Sequence, residues 1–331
     1  MIIDAHQHLI TGAQIGQYQA FLLNGRGFHG KGHIGLSAEM VASWKHGGKS
    51  HSQLLDEVGT DVAFLSPRPF SLMHSEKPDK IVHWFCQVNN DAIALAVQNE
   101  PTRFRGVAGL PQCDGAPVSD TFEEIDRAIR DLGFVGIMIN PDPSEGQHRT
   151  PTMGDEYWYP LYEKMEKENI PALIHTAACK DERESFHNHF ITEESIAILS
   201  LASSRVFEDF PNLKIIMSHG GGSIPYQIGR WRARMRGPNG EETFDQHVRK
   251  LYYDTCLYTP EALELLFRTV GTDRCLFGTE RPGAGSAHNP RTDEWYDNTK
   301  PYIDAMGFLS DADRTAIYEG NARSVYDARF K

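Results

Sequence analysis

Eight short apolar runs, separated by longer stretches of helical period, leave this chain few folds to choose from. The runs are Met1-Ile2-Ile3, Val62-Ala63-Phe64-Leu65, Arg105-Gly106-Val107-Ala108-Gly109-Leu110 and Val135-Gly136-Ile137-Met138-Ile139. They continue with Pro171-Ala172-Leu173-Ile174, Lys214-Ile215-Ile216-Met217, Leu251-Tyr252-Tyr253-Asp254 and Cys275-Leu276-Phe277-Gly278. Near-continuous apolar strands suit a sheet covered on both faces. Residues 121–132, 157–167 and 260–270 carry amphipathic helical patterns between them. Strand and helix signals in alternation predict an α/β protein with a parallel sheet. Eight strands favour a (β/α)8 TIM barrel over a doubly wound sheet. The dinucleotide-binding alternative wants a GxGxxG turn after its first strand, and here Asp4-Ala5-His6-Gln7-His8 follows instead.

Without an internal repeat or a dividing linker, residues 1–331 read as a single barrel domain. Two segments rich in Gly, Pro and charge, 24–52 and 236–242, are expected to be active-site loop insertions. The first follows strand one and holds Gly25, Gly27, Gly30, Gly32, Gly35, Gly47 and Gly48, which predicts a mobile lid or a small excursion. With 45 acidic and 33 basic side chains the net charge is −12, which argues against broad binding to nucleic acid or to anionic membranes. An anionic small substrate stays open, because a few arginines reverse the field inside one pocket. No apolar run approaches the roughly 20 residues of a membrane span. Met1-Ile2-Ile3-Asp4 lacks the features of a signal peptide. Five scattered cysteines without a CxxC pair predict no disulfide scaffold and a cytoplasmic location. A homo-oligomer is left open.

Barrel enzymes carry their chemistry at the C-terminal ends of strands. The first run leads into His6-Gln7-His8, whose i, i+2 spacing turns both imidazoles to one side of an extended segment. The fifth ends in His175, the sixth in His219 before Gly220-Gly221-Gly222, and the eighth in Glu280 of Gly278-Thr279-Glu280. Four imidazoles and a carboxylate converging from four strand ends form a metal-site set. The donors suit Zn²⁺, with Mn²⁺ or another divalent ion as alternatives, and an open position for water.

On these residues the whole chain resembles the amidohydrolase superfamily, which carries HxH on strand one, His on strands five and six, and an acid on strand eight. Within it the chain is similar to the branch of metal-dependent decarboxylases and hydratases, and most of all to the hydratases of 4-oxalomesaconate. Leu65-Ser66-Pro67-Arg68, Asn140-Pro141-Asp142-Pro143-Ser144, His219-Gly220-Gly221-Gly222-Ser223-Ile224-Pro225-Tyr226 and Tyr253-Asp254-Thr255-Cys256 add to the likeness. Most of the superfamily has Asp at the end of strand eight; Glu280 here is what the hydratase resemblance implies. Strand four, Gly136-Ile137-Met138-Ile139-Asn140, has no Lys to bridge two ions, which implies one metal per chain.

The resemblance assigns His6, His8, His175 and Glu280 as ligands of one Zn²⁺, with His219 orienting or deprotonating a water and Glu280 shared between ligation and catalysis. It implies a hydro-lyase that converts 4-oxalomesaconate to 4-carboxy-4-hydroxy-2-oxoadipate in aromatic-acid catabolism. The alternatives are a non-oxidative decarboxylase of a hydroxylated aromatic acid and a lactone hydrolase. A di- or tricarboxylate substrate calls for arginine, whose planar fork matches a carboxylate. Arg68 is the first choice, with Arg230 and Arg281 behind it. Asn140 and the second HxH, His187 and His189 in the loop after strand five, are further candidate substrate contacts. The Gly220-Gly221-Gly222 amides are a candidate carboxylate cradle. His29, His33, His46, His51 and His74 are expected to be loop-surface or lid residues.

Overall fold

Each of the eight apolar runs contributes a strand: β1 (Ile3–His8), β2 (Val62–Ser66), β3 (Phe104–Gly109), β4 (Gly136–Ile139), β5 (Ala172–Ile174), β6 (Ile215–Met217), β7 (Tyr252–Asp254) and β8 (Cys275–Leu276). The computed structural model describes residues 1–237, 240, 243–326 and 329–330. The strands pair in parallel in sequence order from β1 to β8. Across the remaining gap, Ala5 N–H donates to the Phe277 carbonyl and Glu280 N–H to the His6 carbonyl, both at 2.8 Å. Those two bonds bring the sheet almost to closure, as an eight-stranded parallel barrel requires.

Side chains alternate along every strand, and the two sets have different work. Ile3, Ala5, Phe64, Val107, Met138, Leu173, Ile216 and Leu276 fill the barrel with one buried cluster. Ala63, Leu65, Ala108, Ile137, Ile139, Ala172, Ile174, Ile215 and Met217 point outward and join the larger cluster under the helices. Both faces are therefore apolar, which is why the runs lacked polar alternation. Tyr326 stacks edge-on against Phe64, with ring centroids 4.6 Å apart, and closes the interior from the C-terminal segment.

The helix Pro260–Val270 shows how local signals set an element's ends. Thr259 accepts from Ala262 N–H at 3.3 Å, Pro260 opens the first turn, and Gly271 leaves the helix at φ 90°. The connection from β1 to β2 departs from the expected insertion over 24–52. It contains helices Ala13–Gly25, Ala38–Ala42 and His51–Glu57, so the stretches without helix or strand within 24–52 are 26–37 and 43–50, the second closed by a bridge between His46 and Lys49. Of the second expected insertion, residues 238, 239, 241 and 242 lie outside the described residues. A short antiparallel pair, β9 (His288–Asn289) with β10 (Glu294–Trp295), lies outside the barrel sheet. Among the described residues no helix is long and apolar enough to cross a membrane.

Candidate active site

The site begins with an irregularity in β1. Its register against β2 shifts between Asp4 and Gln7, as at a bulge, which re-aims the end of a strand. His6 and His8 are both buried there, with their Nε2 atoms 3.4 Å apart. His175, just past β5, and Glu280, beyond β8, complete a group of four whose ligand atoms all lie within 4.8 Å of one another. Glu280 and His219 both hold left-handed backbone, at φ 58° and 49°, a region that costs a non-glycine residue about 1–3 kcal/mol. The turns that aim these two side chains are thus held by their surroundings rather than by local preference.

Hydrogen bonds on the far side of each ring settle which nitrogen faces the site. His6 Nδ1–H donates to Asp254 Oδ2 at 2.6 Å, and His175 Nδ1–H to the Thr176 carbonyl at 2.8 Å. Ser66 Oγ donates to the Gln7 carbonyl, so it accepts from His8 Nδ1–H at 2.8 Å. All three imidazoles therefore carry their proton on Nδ1 and point a bare Nε2 lone pair inward. Two lone pairs 3.4 Å apart repel, and His175 Nε2 is buried with no hydrogen-bond partner. This donor set fits a divalent cation. Burial lowers the His8 pKa to about 4 and holds His175 well below its usual range, so both imidazoles are neutral at pH 7, as a metal ligand must be. Burial alone would raise Glu280, but His219 and His8 outweigh it and keep the carboxyl well below the ordinary range.

Glu280 divides its two oxygens. Oε1 lies 3.6 Å from His8 Nε2 and 4.0 Å from His175 Nε2. Oε2 accepts from the Tyr258 hydroxyl at 2.8 Å and lies 3.8 Å from His219 Nε2. His219 Nδ1 in turn sits 2.9 Å from both oxygens of the buried Glu194. Burial pushes the His219 pKa down, but Glu194 and Glu280 more than reverse this and hold it well above its usual value. The Glu194 contacts take up His219 Nδ1 and leave Nε2 facing Glu280.

The remaining candidates separate. Arg68, half-buried, donates to the Pro282 carbonyl at 3.0 Å and pairs with no carboxylate among the described residues. Arg281 is buried and committed elsewhere, to Asp297 at 2.5 Å and Glu57 at 2.7 Å. Arg230 lies exposed in the helix Ile228–Arg234. Asn140 is buried and donates to His74 Nδ1 at 2.8 Å and to the Asp142 carbonyl at 3.0 Å.

Other expectations need correction. His187 and His189 occupy the first turn of the helix Phe186–Ala202, not a loop, and there i, i+2 spacing sends side chains to different faces. His187 is exposed, whereas His189 is buried. The Gly220-Gly221-Gly222 amides are not free to cradle an anion: they donate to Asp254 Oδ1 and to the Ser218 and His219 carbonyls. These glycines are needed for space. A Cβ on Gly222 would lie 2.6 Å from the Ile191 carbonyl oxygen, and one on Gly221 2.7 Å from Tyr253. His51 and His74, expected at the surface, are buried, and His51 Nε2 lies 2.7 Å from Gln7 Oε1.

Sequence reasoning did not single out Asp254, Glu194 or Tyr258. Asp254 ends the seventh apolar run, so the strand-end rule applied to the histidines would have found it. No local signal links Glu194 or Tyr258 to the site.

An (β/α)8 barrel with three imidazoles and a carboxylate at its mouth defines an amidohydrolase-type enzyme, and the chain belongs to the amidohydrolase family, which it matches over residues 3–328. It is similar to the 2-keto-4-carboxy-3-hexenedioate hydratase of Sphingobium sp., with 35% identity covering 84% of this chain and 83% of that protein. The crystal structure of 4-oxalomesaconate hydratase from Rhodopseudomonas palustris superposes with a TM-score of 0.88 at 30% identity, covering 98% of this chain and 95% of that one. A dihydroxybenzoic acid decarboxylase from Polaromonas sp., solved with bound manganese and an inhibitor, shares the fold at a TM-score of 0.71 and 22% identity, over 98% and 96% of the two chains.

Proposed function

We propose that this enzyme is a zinc-dependent hydro-lyase that adds water across the C=C bond of 4-oxalomesaconate, giving 4-carboxy-4-hydroxy-2-oxoadipate. The observation that carries this reading is the divided Glu280 carboxylate, with one oxygen in the ligand group and the other among proton-bearing neighbours. Hydration needs both functions: an oxygen delivered to one alkene carbon and a proton delivered to the other. His6, His8, His175 and Glu280 would hold the ion, whose bound state supplies Lewis acidity and lowers the pKa of a coordinated water towards about 7.

The protein's own groups divide the rest. Glu280 Oε2 takes the proton of the attacking water, and the Tyr258 hydrogen bond fixes that oxygen's direction. As the C–O bond forms, the alkene electron pair moves into the carbonyl group attached to the other alkene carbon. The His219 imidazolium, held by Glu194, and the Arg68 guanidinium are cationic donors for that charge. The resulting enolate collapses by taking a proton at carbon, which returns Glu280 to its starting state if it is the donor. Arg68 lacks a carboxylate partner among the described residues and so suits a substrate carboxylate, which Arg281 does not.

The test is a side-by-side assay of zinc-loaded enzyme. It follows ultraviolet loss of the conjugated enone of 4-oxalomesaconate, and carbon dioxide release from hydroxylated benzoic acids. We expect enone loss only, and Glu280→Gln should lower its rate by at least about 100-fold, as misplacement of a catalytic group by about 1 Å already does. Carbon dioxide release without hydration would replace this reading with the decarboxylase. Near wild-type hydration by Glu280→Gln would remove Glu280 from the chemistry.

A further inference from the structure

Beside the cluster at the barrel mouth lies a second convergence of ligand types. Asp142, from the loop after β4, and His189 and Glu193, from the helix Phe186–Ala202, each bring a ligand atom to within 4.8 Å of the others. His189 and Glu193 are four residues apart, one helical turn, so they rise from one face of the helix. That spacing lets a helix present two ligands to one ion. Cys179 and Glu184 form a further trio with the same His189 inside the same limit.

His189 keeps one buried nitrogen unpaired, and Glu193 has no partner among the described residues. His189 is fully buried, its Nδ1 lies 3.1 Å from Glu184 Oε2, and its Nε2 has no hydrogen-bond partner. Glu193 is 6% exposed and its carboxylate makes no hydrogen bond or ion pair among the described residues. An isolated buried carboxylate is costly, and the usual remedies are a partner, a proton or a metal. Here burial and the neighbouring Asp142 and Glu184 push the Glu193 pKa up to about 7. Asp142 is already fixed, since its Oδ1 accepts from Ser144 N–H at 3.0 Å and its Oδ2 from Gly146 N–H at 2.7 Å. A cavity of about 140 Å³, lined by Asp142, Thr150, Thr152 and Glu193 among others but not by His189, opens on the side of the two carboxylates and would admit water to the group.

We propose that Asp142, His189 and Glu193 form a second divalent-cation site, for Mn²⁺ or Zn²⁺, separate from the one at His6, His8, His175 and Glu280. An imidazole with two carboxylates is a borderline donor set that suits these ions better than Ca²⁺ or Mg²⁺, which favour oxygen alone. The ion would neutralise the carboxylates, and it would tie the loop after β4 to the helix that also carries Glu194.

The experiment loads the purified enzyme with MnCl2 and follows the free ion by electron paramagnetic resonance. Elemental analysis of the desalted protein then counts the bound ions. We expect about two equivalents per chain in the wild type and about one in His6→Asn. Glu193→Gln should bind about one and lose the Mn²⁺-dependent rise in melting temperature that His6→Asn retains. Should Glu193→Gln fail to fold by circular dichroism, Asp142→Asn takes its place. A single equivalent in the wild type that His6→Asn abolishes would overturn the proposal and leave Glu193 as a protonated buried acid. Two equivalents retained in both carboxamide variants would overturn it equally.

Discussion

Replacing Asp254 by Asn tests how the barrel controls its ligands, because the change swaps one oxygen for an NH2 group at nearly constant volume. Asp254 serves three donors: Oδ2 takes His6 Nδ1–H at 2.6 Å, and Oδ1 takes the Gly220 and Cys256 amides at 3.0 and 3.1 Å. Asparagine cannot satisfy all three. If its oxygen turns to His6, the NH2 group faces two buried amides, and each unsatisfied donor costs about 1–3 kcal/mol. If its oxygen keeps the amides, the NH2 group faces His6 Nδ1 and drives the ring proton to Nε2. The second arrangement leaves fewer buried groups unpaired and should prevail. It also places a proton on the atom that faces the site. Loss of such a partner typically costs about 10–100-fold in metal affinity, or about 1.4–2.7 kcal/mol. Competition with a chromogenic chelator would measure the affinity, and urea unfolding of the metal-free forms would show that the barrel persists. An Asp254→Asn enzyme that binds Zn²⁺ within about threefold of wild type would refute the tautomer argument.

Arg68→Ala should lower kcat/KM by about one to two decades, the worth of a charge-assisted contact, and Arg68→Lys should not restore it; unchanged values would take Arg68 out of the site. Arg281→Met should instead reduce stability in urea by about 3–5 kcal/mol, because Asp297 is left buried without its partner. A loss below about 1 kcal/mol would show that Asp297 finds another. Burial lowers His74 to about 4, so between that value and about 6.5 the unfolded chain binds the extra proton and the folded one does not. Stability from this residue is therefore present above about pH 6.5 and lost as pH falls towards 4. Between pH 7 and 5 the wild type should lose about 2 kcal/mol more than His74→Gln in urea unfolding, and parallel losses would refute this.

Those histidines also show where sequence reading stops. Strand positions were legible because both faces of a covered parallel strand are apolar, and the eight runs met that condition. The ligand candidates were legible because a barrel places strand ends at one mouth, which turns residues far apart in sequence into neighbours. His51 follows a Gly-rich stretch and His74 lies in a polar loop, both of which suggest surface or lid, whereas their burial depends on Gln7 and Asn140, distant in the chain. The pattern Phe186-His187-Asn188-His189-Phe190 has opposite meanings in a strand and in a helix, and periodicity over five residues cannot separate them. Glu194 lies 25 residues from His219, and Asp254 lies 248 from His6; only the folded barrel pairs them.

The gap between β8 and β1 has a mechanical consequence. Seven junctions of the barrel are strand ladders, while the eighth has two backbone hydrogen bonds, one of them from the Glu280 amide, reinforced by the bonds of Thr279 to Asp4 and Gln7. His6 and His8 lie on one bank of that seam and Glu280 on the other. An ion held by the three would act as a clasp on the wall itself, coupling occupancy of the site to closure of the barrel. Amide exchange at Ala5 and Glu280 would report the clasp opening while the ladders elsewhere stay protected.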